Sequence, residues 1–280
     1  MNDSAWSGSY DGPVATLTFS RPPLHVISHR DVGDLESLLT RAVEDRVRVV
    51  ILAGGPDIFI RHADLDDLVA MADGAPTSGD PSSWIRVLRL LDRGRFVTIA
   101  AVEGQAWGGG LEIALTCHLR VLGARASLGF PEVALGIIPG VAAHRLIRSV
   151  PPHVAMELMA LGDPVDAATA ERLGLVNRVV ADGDALATAT DMARRIVRHP
   201  AAAVDAVRSL VVDHRDDTER ELRRRQSELW AELVRDPDVV AIIHRARARY
   251  DAGLDSHPAL GVGSADPDDL SEGMVAPWDS

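Results

Sequence analysis

Lysine is absent: all 29 basic residues among the 280 are arginine. This excludes Schiff-base chemistry on a lysine amine and any phosphate loop that ends in lysine. Codon usage is the plain cause. Cysteine is nearly absent too. Cys117 stands alone, so an intrachain disulfide and a multi-cysteine metal site are both excluded. No metal-ligand spacing occurs among the histidines and acids. No apolar run reaches 18 residues, so no membrane-spanning helix is expected. Residues 1–10 are polar and lack the apolar stretch of a signal peptide, and the expected location is the cytoplasm. Acidic residues outnumber basic ones by 41 to 29, a net charge of −12. That balance speaks against non-specific binding to nucleic acid or to an acidic membrane.

Apolar residues are plentiful at 46%, enough for a sizeable core. Residues 14–19 alternate apolar and polar and predict a strand, ended by Arg21-Pro22-Pro23. Residues 31–44 put Val32, Leu35, Leu38, Leu39, Ala42 and Val43 on one helical face. The continuous apolar runs 47–53 and 96–102 predict buried strands. Helices are expected at 65–72, 84–91 and 111–117, a third strand at 119–122 and a short extended piece at 127–130. Residues 59–64, 73–83 and 131–140 read as loops. Further helices are expected at 141–150, 152–161, 166–173, 184–198 and 200–212, with a brief strand at 176–180. A last helix, 218–250, breaks near Asp236-Pro237. Strands alternating with helices predict an α/β core of largely parallel strands. Residues 251–280 hold seven acids and no arginine, the composition of a flexible tail.

Two stretches can present backbone N–H groups. Gly108-Gly109-Gly110 stands between a buried strand and a helix, where glycine allows close approach and the helix start supplies free N–H groups. Residues 59–65 form a second loop behind another buried strand. One N–H from each would make an oxyanion hole, worth roughly 3–4 kcal/mol per donor. Two glutamates lie among apolar neighbours: Glu112 one turn into the helix, and Glu132 twenty residues on. A buried carboxyl has a raised pKa and suits acid or base work. The plainer readings are complementation of the helix dipole for Glu112 and a solvated loop acid for Glu132.

Taken in order, these segments resemble the crotonase, or enoyl-CoA hydratase/isomerase, superfamily. Residues 47–65 resemble its first signature, a buried strand leading to an Ala-Gly-Ala-Asp-Leu type loop. Val102-Glu103-Gly104-Gln105-Ala106-Trp107-Gly108-Gly109-Gly110-Leu111-Glu112 resembles the second. Phe130-Pro131-Glu132 through Ile138-Pro139-Gly140 resembles the third. Residues 164–180 and 200–210 extend the likeness, which covers about residues 12–250. It implies a crotonase-like spiral core of ββα units at 12–200, a helical trimerisation region at 201–250 and the tail at 251–280.

The resemblance further implies that the N–H groups of Ala63 and Gly109 hold the thioester carbonyl of an acyl-CoA. Glu112 would then activate a water, Glu132 would protonate the α-carbon, and the backbone of Gly140 would help hold the water. Arg61, His62, Asp64, Leu65 and Trp107 become candidates for the CoA or acyl pocket. No cofactor is implied beyond the coenzyme A of the substrate, and trimers or dimers of trimers are the implied assembly. Both glutamates favour hydration of a trans-2-enoyl-CoA. An isomerase or another thioester enzyme of the superfamily, or a weakly active acyl-CoA binder, stays open.

The chain departs from the pattern in three places. His62 stands where the family usually has glycine, and a side chain there restricts φ. Val141-Ala142-Ala143-His144-Arg145 replaces further glycines and a Thr-Gln pair. The last helix lacks the usual Phe and Lys, leaving Arg245 and Arg249 as candidate replacements.

Overall fold

The computed structural model describes residues 4–214 and 216–251. Beyond Asp251 the expected tail lies outside the described residues, as does the Arg249 side chain. Two compact units divide between Arg194 and Arg195.

The first unit opens with β1 (Trp6–Asp11), β2 (Val14–Phe19) and α1 (His29–Glu44). There follow β3 (Val49–Ala53), β4 (Ile58–Ile60), α2 (Leu65–Ala72) and α3 (Ser83–Arg93). Next come β5 (Val97–Val102), β6 (Gln105–Trp107) and α4 (Gly109–Thr116). Then β7 (Leu119–Gly123) and β8 (Ser127–Gly129) lead into a 3-10 turn (Pro131–Leu135). The unit continues through α5 (Ala143–Ser149), α6 (Pro152–Leu161), β9 (Val165–Asp166), α7 (Ala167–Arg172) and β10 (Arg178–Val180). Helix α8 (Ala185–Arg198) runs across the division.

The strands sort into two sheets. The larger has the order β1-β2-β3-β5-β7-β10 and the smaller β4-β6-β8-β9. In the larger sheet only the β1–β2 pair is antiparallel. The chain therefore places one strand in the large sheet and the next in the small one, then a helix, and repeats. This is the spiral of ββα units.

The strand β3 is buried along its whole length, as its uninterrupted Val-Val-Ile-Leu-Ala run requires of a strand covered on both faces. Leu17, Phe19, Leu35, Leu39, Leu52 and Phe96 belong to the same core. Helix α1 starts on a capping box between Ser28 and Asp31, which satisfies its first N–H groups.

The small sheet was not expected in full. Residues 59–64 read as a loop, yet Ile58–Ile60 pairs with β6. Strands of two or three residues, such as β4, β6 and β9, are too short to show a period in sequence. Nor did β1 stand out, because every residue in it after Trp6 is exposed.

The second unit carries α9 (Ala201–Val212), α10 (Glu219–Leu233) and α11 (Pro237–Asp251). A capping box between Thr218 and Glu221 opens α10. The break expected near Asp236-Pro237 is present, and the Asp236 carboxylate caps α11 through the N–H of Asp238.

Candidate active site

Three strands of the small sheet run parallel: β4 beside β6, and β6 beside β8. Their carboxyl ends therefore share one edge, where open α/β sheets expose loops to ligands. β4 delivers residues 61–65 there, β6 delivers Gly108 to Glu112, and β8 delivers Phe130 to Glu132. Backbone hydrogen bonds fasten these loops to one another. The Trp107 N–H donates to the Arg61 carbonyl at 3.1 Å, and the Gly108 N–H donates to the Gly129 carbonyl at 2.9 Å.

The glycines have separate reasons. Gly108 has φ +47°, a left-handed conformation that disfavours a side chain. At Gly110 a Cβ would stand 2.0 Å from the Ile60 carbonyl oxygen, so only glycine lets α4 start this close to β4. A side chain on Gly109 would begin 3.4 Å from the Ala63 nitrogen. The two loops thus bring the Ala63 and Gly109 backbones together. Among the described residues neither of their N–H groups donates a hydrogen bond. The side chain of Trp84, from α3, closes over the same glycine, 2.9 Å from that Cβ position. Sequence reading placed Trp84 on a helix but not at this site.

Glu112 is 4% exposed. Its Oε1 accepts the N–H groups of Val141 at 2.7 Å and Ala142 at 2.5 Å. Burial raises its pKa, and the two N–H donors pull the other way by favouring the carboxylate. Helix formation was expected from residue 141, but α5 begins at Ala143. This leaves the two preceding N–H groups to serve Glu112. Gly140 itself is exposed, and Glu112 is held by the next two residues.

Glu132 sits in the 3-10 turn, half-buried. A Cβ on Gly108 would meet its Oε1 at 3.0 Å and the His62 Cβ at 3.4 Å. The Oε2 of Glu132 is buried with no hydrogen-bond partner among the described residues. Burial, reinforced by the Glu112 charge, pushes its pKa up to about 7. The two carboxyls thus sit in unlike settings: Glu112 Oε1 is held by two backbone donors, while Glu132 Oε2 has no partner among the described residues.

His62 does not occupy the left-handed region; among the described residues the non-glycine ones that do are His25 and Arg46. Its Nδ1 lies 2.7 Å from the Ala63 carbonyl oxygen. A carbonyl can only accept, so Nδ1 carries the proton in that contact. Arg61 and Asp64 N–H groups donate to the carbonyls of His25 and Ile27, which hold the loop in register. The Asp64 carboxylate caps α2 through the Asp66 N–H, and Leu65 is exposed. The Trp107 indole N–H donates to the Ser127 hydroxyl. Among the described residues no group of three or more His, Cys, Asp or Glu is arranged to hold a metal ion.

Two N–H donors, the buried carboxyl of Glu112 and the half-buried carboxyl of Glu132 gather at the edge of a spiral α/β sheet. The sequence matches the Enoyl-CoA hydratase/isomerase family over residues 10–245, and the chain belongs to that family. It is 36% identical over 176 residues to a probable enoyl-CoA hydratase of Bacillus subtilis, covering 62% of this chain and 68% of that one. It is 33% identical over 212 residues to a carnitinyl-CoA dehydratase of Salmonella arizonae, covering 74% and 79%. A solved structure of a putative enoyl-CoA hydratase from Thermobifida fusca in complex with CoA superimposes with TM-score 0.73 at 30% identity, covering 82% and 92%.

Proposed function

We propose that the protein adds water across the double bond of a trans-2-enoyl-CoA to give a 3-hydroxyacyl-CoA. The carrying observation is the approach of Ala63 and Gly109, whose N–H groups lack an internal acceptor, beside the carboxyls of Glu112 and Glu132. The thioester carbonyl accepts both N–H groups. Glu112 takes a proton from water, and the water oxygen bonds to C3. The double-bond electrons move onto the thioester oxygen, where the two N–H groups stabilise the charge. As that charge returns, Glu132 gives its proton to C2. No further cofactor enters this scheme. The CoA-bound relative and the name of the dehydratase, which runs this class of reaction in reverse, support the substrate class. Arg61, His62, Leu65 and Trp107 surround the loops that would take the CoA and acyl groups.

A second reading is isomerisation of the double bond by Glu132 alone. Its Oε2, unpartnered among the described residues, favours that role, since such an oxygen can carry a proton from one carbon to another. The assembly we propose is a trimer or a dimer of trimers. Apolar residues left exposed on the second unit, Val207, Val211, Trp230 and Ile243, support it.

Turnover of crotonyl-CoA, followed by loss of enoyl-thioester absorbance, tests the reading. Steady hydration is expected. Binding of short, medium and long enoyl-CoAs without turnover would overturn it.

A further inference from the structure

We propose that the buried Arg145–Asp92 pair is a positioning device for Glu112, acting through the backbone of residues 141 and 142. This rests on Glu112 being the base of the reaction above. The donors to Glu112 come from an irregular stretch: the 3-10 turn ends at Leu135 and α5 begins at Ala143. No ladder of regular structure fixes Val141 and Ala142. Helix α5 has only seven residues and no side-chain cap, so it is a weak anchor by itself.

Arg145, one turn in, supplies the anchor. Its two terminal nitrogens each lie 2.9 Å from a different oxygen of Asp92, and the side chains are 12% and 7% exposed. A forked contact of this kind fixes both the position and the rotation of the helix that carries it. Asp92 lies in the last turn of α3, which is itself held. The Thr98 hydroxyl donates to the Leu91 carbonyl at 3.0 Å. The Asp92 carbonyl lies 2.9 Å from His118 Nε2. His118 Nδ1 receives the Thr98 N–H at 2.9 Å, so Nδ1 is the unprotonated nitrogen and Nε2 carries the proton. His118 follows directly from the end of α4, the helix of Glu112. The contacts therefore form a closed ring from Glu112 through α5 and α3 back to its own helix.

A buried ion pair adds little to stability compared with apolar residues of the same volume; what this pair supplies is the fixed geometry of its forked contact. The influences on Glu112 are burial and the two N–H groups, and the Arg145 charge is not one of them. Arg145 acts through the position of those donors. Withdrawing them would disfavour the carboxylate and delay its ionisation to higher pH.

Two variants test this, Arg145→Lys and the apolar replacement Arg145→Met with Asp92→Leu. Lys keeps the charge but not the fork. With crotonyl-CoA, kcat is expected to fall by about 10-fold or more in both, as small misplacements of catalytic groups do. KM is expected to stay within about twofold, since binding is left alone. The acidic limb of the kcat pH profile is expected to move to higher pH. Wild-type kcat and an unmoved acidic limb in Arg145→Lys would overturn the proposal, and so would the same result in the double variant. If wild-type enzyme hydrates crotonyl-CoA and Glu112→Gln does not, such a result sinks only the positioning role. If the wild type is inactive or Glu112→Gln keeps full activity, the hydratase reading fails first.

Discussion

Glu132 sits in a setting far from that of a carboxyl in water. Its pKa stands at about 7 because burial and the Glu112 charge both oppose ionisation. The sign of the consequence follows. The folded pKa lies above the unfolded value of 4.5, so the neutral side chain costs nothing at low pH. Stability is then lost as pH rises from the unfolded value of 4.5 up through about 7. Glu132→Gln is therefore expected to match the wild type below about pH 4 in urea unfolding. At pH 8 it is expected to be more stable by roughly 1–2 kcal/mol, after allowing for solvent screening of a half-buried group. Equal stability at both pH values would contradict this setting. In the proposed hydration the same group must start protonated. For the wild type, kcat/KM is expected to fall on the alkaline side with a midpoint at about 7. Its acidic limb follows Glu112, which must be ionised and whose pKa burial raises.

Among the elements, the start of α4 carries the site. Gly110→Ala places a methyl 2.0 Å from the Ile60 carbonyl. It must push α4 away from β4 and so separate Gly109 from Ala63. A loss of about 1–3 kcal/mol in urea unfolding is expected, with kcat falling further than stability alone explains. An unchanged kcat would show that this approach does not set the site. Much of this region was legible in sequence. Three consecutive glycines after an apolar run and an acid one turn later are local signals that mark residues 108–112, while the choice of Gly109 among the three glycines comes from the family resemblance. Phe59–Asp64 was read as a loop because β4 has three residues and its partner β6 is 45 residues away in the chain. The hold of Val141 and Ala142 on Glu112 was not legible either, because a backbone donor leaves no side-chain signature. Trp84 read as a helix residue, since nothing local marks its reach to Gly109.

For the whole molecule, the order of strands and helices was enough to predict an α/β core, and the ordered signatures narrowed it to a spiral of ββα units. The sorting of strands into two sheets depends on pairings such as Ile99 with Leu119 and Trp107 with Gly129, which no local pattern encodes. In the second unit, the exposed Val207, Val211 and Trp230 lead to an expectation for solution. Light scattering is expected to give three or six times the chain mass, and Trp230→Asp to reduce it. A wild-type monomer would contradict the proposed assembly.

The central claim is that two carboxyls share one hydration. Its most direct test is the rate of crotonyl-CoA hydration by Glu112→Gln and Glu132→Gln, measured beside the wild type. Both variants are expected to lose at least about 100-fold in kcat, since each removes one half of the proton transfer. Retention of near wild-type hydration by either variant would contradict the account.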